Sequence, residues 1–218
     1  LSYGMVELPT GKMKSREGTV VDADDMVDEM LETSKHNTEE LGKVKDFTDD
    51  ELKELYNTIG LGAMKFYLLR VDPKKTMVFN PQESIDLHGF TGPFIQYTYA
   101  RIKSILRKLS ENNVDVTSML KDHPASNGDL LPAEKELIVL AEQFPSVIGQ
   151  SGDEHDPSVI ANYIYLLAKT FNSFYADHSI AKAESEEKKI LRTKIAIFTA
   201  NIIKSGMQLL GINVPERM

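Results

Sequence analysis

The chain has 218 residues, 41% of them hydrophobic and 27% charged, with 33 Asp and Glu against 25 Lys and Arg for a formal net charge of -8 at pH 7. That length supports one large or two small domains around a true hydrophobic core, and no apolar run approaches the roughly 18 to 20 residues needed to cross a bilayer. Cysteine is absent and the five histidines, His36, His88, His123, His155 and His178, form no i, i+4 pair around a Glu, which excludes disulfides and leaves no expected metal site. With no basic, apolar segment at its start, the chain reads as cytoplasmic, with no membrane partner.

An acidic balance argues against a phosphate-rich partner only if it is evenly spread. Here it is not. Between Asp22 and Glu54 there are 13 acidic against 4 basic residues, so the remaining chain carries 20 acidic and 21 basic residues and is free to form basic patches.

In chain order, the first feature is Gly11 to Val21, G-K-M-K-S-R-E-G-T-V-V. It is a cation-rich loop bounded by glycines, suited to a triphosphate because Lys and Arg can follow developing charge while Gly admits the backbone closely. Asp22 then caps a helix with the stripe Met26, Val27, Met30 and Leu31. Thr48 and Glu51 form a capping box for a second helix, in which Leu52, Leu55, Tyr56, Ile59, Ala63 and Phe66 recur at helical spacing until Asp72-Pro73. Gly60 and Gly62 weaken this run by about 1 kcal/mol each relative to Ala, and close packing is the ordinary reason to keep them. A short extended piece covers Thr76 to Phe79.

Pro93 opens the next helix, with Ile95, Ile102, Ile105, Leu106 and Leu109 on its buried face and Arg101, Ser104 and Lys108 on another. Lys121 to Asp129 lacks periodicity and reads as a loop. Helical pattern resumes at Pro132. Asp156 and Pro157 start a helix that buries Ile160, Tyr163, Ile164, Leu167, Phe171 and Phe174. The last helix, about Glu186 to Leu210, carries Ile190, Leu191, Ile195, Phe198, Ile202 and Leu209 as its apolar set, with Lys188 and Arg192 as a solvated face and Gly211 as its stop.

Four segments carry a family resemblance. The loop at Gly11 is similar to the lysine-methionine-serine-lysine-serine signature of class I aminoacyl-tRNA synthetases. Gly89 to Leu106 reads G-F-T-G-P-F-I-Q-Y-T-Y-A-R-I-K-S-I-L, Pro157 to Tyr175 reads P-S-V-I-A-N-Y-I-Y-L-L-A-K-T-F-N-S-F-Y, and Leu209 to Met218 reads L-L-G-I-N-V-P-E-R-M. Together, in this order and across nearly the whole chain, they resemble the arginyl-tRNA synthetases. The resemblance implies a mainly α protein: a helical bundle of the class Ia anticodon-binding type, preceded by a remnant of an α/β catalytic domain. The implied division is residues 1–21, the end of the catalytic domain with the signature loop; 22–88, a helical connector; and 89–218, the anticodon-binding bundle.

The implied activity is that of an arginine-tRNA ligase, which activates arginine with ATP and Mg2+ and transfers it to tRNA; a monomer is expected. Lys12 takes the catalytic place beside the ATP phosphates, with Met13, Lys14, Ser15 and Arg16 completing the ATP loop. Ser15 stands where the usual second lysine would be, so that cation is expected from elsewhere in the catalytic domain. The second class I signature, histidine-isoleucine-glycine-histidine, is missing from these residues. The fragment alone is therefore expected to be inactive and to bind no cofactor tightly.

For tRNA contact, Gln96, Tyr97 and Arg101 combine polar, aromatic and cationic groups on one helix, a mixture suited to an unstacked nucleic-acid loop. The resemblance adds Tyr175, Arg217 and Met218. Two other readings stay open: a cysteinyl-type class I synthetase fragment, and a non-catalytic helical adaptor whose acidic segment binds a protein. Comparing several tRNA species in a binding assay separates them.

Overall fold

Helices start where the sequence supplies caps. In the computed structural model, which describes residues 3–9, 22–40, 46–111 and 129–218, α1 (Ala23–Glu40) is followed by α2 (Asp49–Leu69). The capping box at α2 is complete: the Thr48 amide donates to Glu51 Oε2 at 2.8 Å, and the Glu51 amide donates back to Thr48 Oγ1 at 3.4 Å. Both hydrogen bonds satisfy helix-end donors that would otherwise face water. Gly60 lets α2 lie against α1, since a Cβ there would come within 2.9 Å of the Met30 carbonyl oxygen.

Two short strands, β1 (Val6–Glu7) and β2 (Met77–Val78), pair in parallel with Val6 opposite Met77 and Glu7 opposite Val78. A single turn, α3 (Pro81–Ser84), leads to α4 (Gly92–Glu111). The remaining helices are α5 (Pro132–Glu142), α6 (Phe144–Glu154), α7 (Ser158–Asp177) and α8 (Glu186–Leu209). The fold is mainly helical, with the two-stranded pair as its only sheet among the described residues.

Side chains collect into two cores. The larger joins α4, α5, α7 and α8 and includes Ile95, Ile102, Leu137, Leu167 and Phe171; Phe66 of α2 belongs to it. The smaller gathers Met30, Leu55, Ile59, Ala63, Tyr67, Phe79 and Ile85 around α1 and α2. All six residues read as the buried face of α7 are buried. Asp156 caps that helix, its Oδ1 accepting from the Ser158 amide at 2.8 Å.

The apolar set expected on α8 needs correction. Ile195 is buried and Leu191 and Ile202 pack against the larger core as expected, but Phe198 and Leu209 are 57% and 55% exposed, and the packed face also runs through Arg192, Ala196, Thr199, Ala200, Ile203 and Met207. Small residues bring α8 close to its neighbours: a Cβ on Gly206 would collide with the Ile164 side chain of α7. The helix ends in a Schellman motif, with Gly211 at φ 68° and the Ile212 amide donating to the Met207 carbonyl at 2.9 Å. From there the chain continues as an extended strap, residues 213–218.

Candidate nucleic-acid interface

Helix α4 presents one side to the bundle and another to a depression beside the strap. On that side the Arg101 guanidinium lies 4.8 Å from the centre of the Tyr97 ring. Arg101 Nη1 donates to Asn172 Oδ1 of α7 at 2.7 Å, Asn172 Nδ2 donates to Thr98 Oγ1 at 2.7 Å, and Thr98 Oγ1 donates to the Phe94 carbonyl at 2.9 Å. This relay orients Arg101 through a neutral amide rather than a carboxylate. On α7, Tyr175 stacks one turn beyond Phe171, ring centres 6.2 Å apart and planes 5° apart.

The strap supplies the remaining wall. Glu216 Oε1 pairs with Lys103 Nζ at 2.9 Å, and the Glu216 carbonyl accepts from Arg107 Nη1 at 3.1 Å. The hydrogen bond from Lys103 holds the Glu216 carboxyl below the ordinary carboxylate value, against an opposing effect of desolvation. Arg217 lies 4.4 Å over the Phe47 ring, and Met218 packs against the smaller core.

Five of the residues expected at a tRNA contact, Tyr97, Arg101, Tyr175, Arg217 and Met218, thus line a single depression of about 350 Å³. Phe47, Ser104, Arg107 and Lys108 line it too, and among the described residues no Asp or Glu side chain does. The hollow on the other side of the strap, about 400 Å³, differs in charge: Glu51, Glu54 and Glu216 face Lys204 and Arg217 there.

Gln96 does not share the depression. It is fully buried, because its position on α4 turns it toward α2, and its Nε2 donates to the carbonyls of Thr58 at 2.9 Å and Asn213 at 2.8 Å. A direct contact of Gln96 with tRNA is therefore corrected. Phe47 escaped sequence reading. Its signal was an aromatic residue immediately before the Thr48 cap, which on its own suggests only a hydrophobic staple.

Lys188 and Arg192, read as a solvated face, are also corrected. Arg192 is 3% exposed, with Nε on Glu134 Oε1 at 2.9 Å and Nη2 on Glu184 Oε1 at 2.7 Å; Lys188 Nζ reaches Glu134 Oε2 at 2.6 Å. Desolvation pushes the Glu134 pKa upward, but hydrogen bonds from Lys188, Arg192 and the Leu131 amide outweigh it and leave the carboxyl below its ordinary value.

Lys12, Met13, Lys14, Ser15 and Arg16 lie outside the described residues, as do residues 121–128 of the loop expected from Lys121 to Asp129. Among the described residues no group of His, Cys, Asp and Glu side chains could hold a metal ion. None of their helices is long and apolar enough to cross a membrane.

A helical bundle with a cationic, aromatic depression, joined to the edge of a parallel pair of strands, is the construction of a class I tRNA synthetase at its anticodon end. Residues 95–218 match the DALR anticodon binding domain, and residues 1–80 match the catalytic domain of class I tRNA synthetases (R). The chain belongs to the arginyl-tRNA synthetase family. It is 55% identical over all its 218 residues to an arginine-tRNA ligase of Flavobacterium psychrophilum and 51% identical over 217 residues to one of Bacteroides fragilis. It spans 35% and 36% of the length of those relatives. The arginyl-tRNA synthetase structure of Thermus thermophilus superposes with a TM-score of 0.84 at 28% identity, covering 100% of this chain and 35% of that one. That of Plasmodium falciparum shares the fold, with a TM-score of 0.80 at 22% identity over 99% of this chain and 34% of the other.

Proposed function

We propose that this chain is the C-terminal part of an arginine-tRNA ligase and that its depression holds the anticodon region of an arginine-accepting tRNA. One observation carries the reading: Tyr97, Arg101, Tyr175, Arg217 and Met218, from α4, α7 and the strap, meet in one hollow lined by cationic side chains and, among the described residues, by no Asp or Glu side chain. Unpaired bases stack on tyrosine or methionine while phosphates meet arginine, so the hollow suits a single-stranded loop better than a duplex. The whole enzyme would use arginine, ATP and Mg2+ in the cytoplasm, as a monomer. Lys12 and its neighbours Met13 to Arg16 would serve the ATP phosphates at the end of the catalytic domain (1–21). Residues 22–88 would connect it to the RNA-binding bundle (89–218).

The test is filter binding of the purified chain to arginine-accepting tRNA and several other tRNAs across a salt series. With roughly three or four phosphates neutralised, log affinity should fall against log salt with a slope of about -2 to -4, and the arginine-accepting species should bind tightest. Binding that ignores salt, or none at low salt, would overturn the reading and favour the adaptor alternative; a preference for another tRNA would move the chain to a different synthetase specificity.

A further inference from the structure

Gln96 is the expected contact residue that the fold removes from the depression, and its surroundings assign it different work. A glutamine amide has two N–H donors, and here both are used on main-chain carbonyls of separate elements, Thr58 in α2 and Asn213 at the start of the strap. The approach depends on Gly62, one turn after Thr58, because a Cβ there would strike Gln96 Nε2. Gly92 repeats the device at the start of α4, where a Cβ would stand 2.6 Å from the Gly62 carbonyl oxygen.

Stability alone does not account for a glutamine at this place. Gln96 Oε1 is buried and accepts no hydrogen bond among the described residues, and an orphaned buried acceptor is unfavourable. A methionine would fill much the same space without that acceptor. What only the amide supplies is the pair of donors that joins bundle, connector and strap. The strap's other polar ties are more exposed: the side chains of Lys103 and Glu216 are 31% and 61% accessible, and exposed ion pairs hold geometry weakly.

From this geometry we infer that Gln96 is a positioning residue for the depression. It fixes the direction in which the chain leaves the Gly211 turn, so that Arg217 of the strap and Phe47 of the connector meet at the edge of the same hollow as Arg101. The inference rests on the reading of that hollow as the tRNA site.

The test uses Gln96→Met and Gly62→Ala in the 218-residue chain, the second displacing the amide from the opposite helix while improving helix propensity in α2. Two quantities are read well below the melting temperature: the rate at which carboxypeptidase Y releases Met218 and Arg217, and the affinity for an arginine-accepting tRNA. If the strap is correctly placed nearly always in the wild type and only about a tenth of the time in either variant, binding should be about tenfold weaker and release at least about tenfold faster. In a chain lacking Arg217 and Met218, Gln96→Met should weaken binding no further, because both changes remove the same wall. Wild-type release and affinity in the variants, or an undiminished effect in the truncated chain, would overturn the inference whatever happens to the melting temperature. If Gln96→Met does not fold, Gly62→Ala decides; if neither folds, the amide is merely structural and the inference falls. A wild-type chain that binds no tRNA discards the reading of the hollow, while the release rates still judge the link between Gln96 and the strap.

Discussion

Arg101 with Lys108 on α4, and Lys188 with Arg192 on α8, are similar signals in sequence: cations one or two turns apart on an amphipathic helix. In the folded chain they diverge. Arg192 is 3% exposed and bound to Glu134 and Glu184, so its charge is consumed inside the protein. Arg101 is held by the neutral Asn172 amide over the Tyr97 ring and opens into a hollow that no Asp or Glu side chain lines among the described residues. Spacing of cations therefore says little about RNA contact. What decides it is whether the fold brings a carboxylate to them, and Glu134 comes from 58 residues away.

The comparison breaks most visibly through Arg192. Replacing it with Met leaves the Glu134 carboxylate short of a buried partner and should destabilise the chain by about 3 to 5 kcal/mol in urea unfolding. tRNA affinity measured where the variant is still folded should stay unchanged; a parallel loss of affinity would place Arg192 in the RNA site. Arg101→Met should act the other way round. Its affinity should fall by roughly 1 to 3 kcal/mol, with the salt slope shallower by about 1 and the urea midpoint nearly unmoved. A stability loss as large as that of Arg192→Met would make Arg101 another structural cation.

The smallest effect is expected at the exposed pair of Lys103 and Glu216. The folded-state pKa of Glu216 is depressed by the hydrogen bond from Lys103, so its contribution is full above the ordinary value of 4.5 and disappears as pH falls through the depressed one. Glu216→Gln should accordingly cost less than about 1 kcal/mol near neutrality. The difference from wild type should close in acid and shrink in high salt. No difference at any pH would mean that Glu216 acts only through its backbone carbonyl on Arg107, which the substitution leaves in place, rather than through its charge.

Much of the fold was legible because local signals agreed with one another. The box of Thr48 and Glu51, the Asp156 cap and the face from Ile160 to Phe174 are each written within one helix. On helix α8, Ile195, Leu191 and Ile202 were read correctly but Phe198 and Leu209 were not, because periodicity weights large apolar residues, whereas much of its packing uses Ala196, Thr199, Ala200 and Gly206 to admit neighbours closely. At the candidate site, Tyr97, Arg101, Tyr175, Arg217 and Met218 could be picked out from residue type and family resemblance. Their convergence could not, since it depends on α4, α7 and the strap meeting. Gln96 and Phe47 were misread or missed for the same reason: Gln96 pairs with carbonyls 38 and 117 residues away, which leave no mark on its neighbours in sequence.

Helix α2 gives Leu55, Ile59, Ala63 and Tyr67 to the smaller core and Phe66 to the larger. It acts as a shared girder, and this bears on how the molecule can be dissected. Cutting the chain between residues 88 and 89 would look natural from sequence, yet the excised bundle would lose Phe66 from its core, the edge contact of Phe66 on Phe90 with ring centres 5.5 Å apart, and the Thr58 carbonyl that receives Gln96. A workable boundary for isolating the bundle lies before Thr48, where a capped helix begins and carries its own end with it.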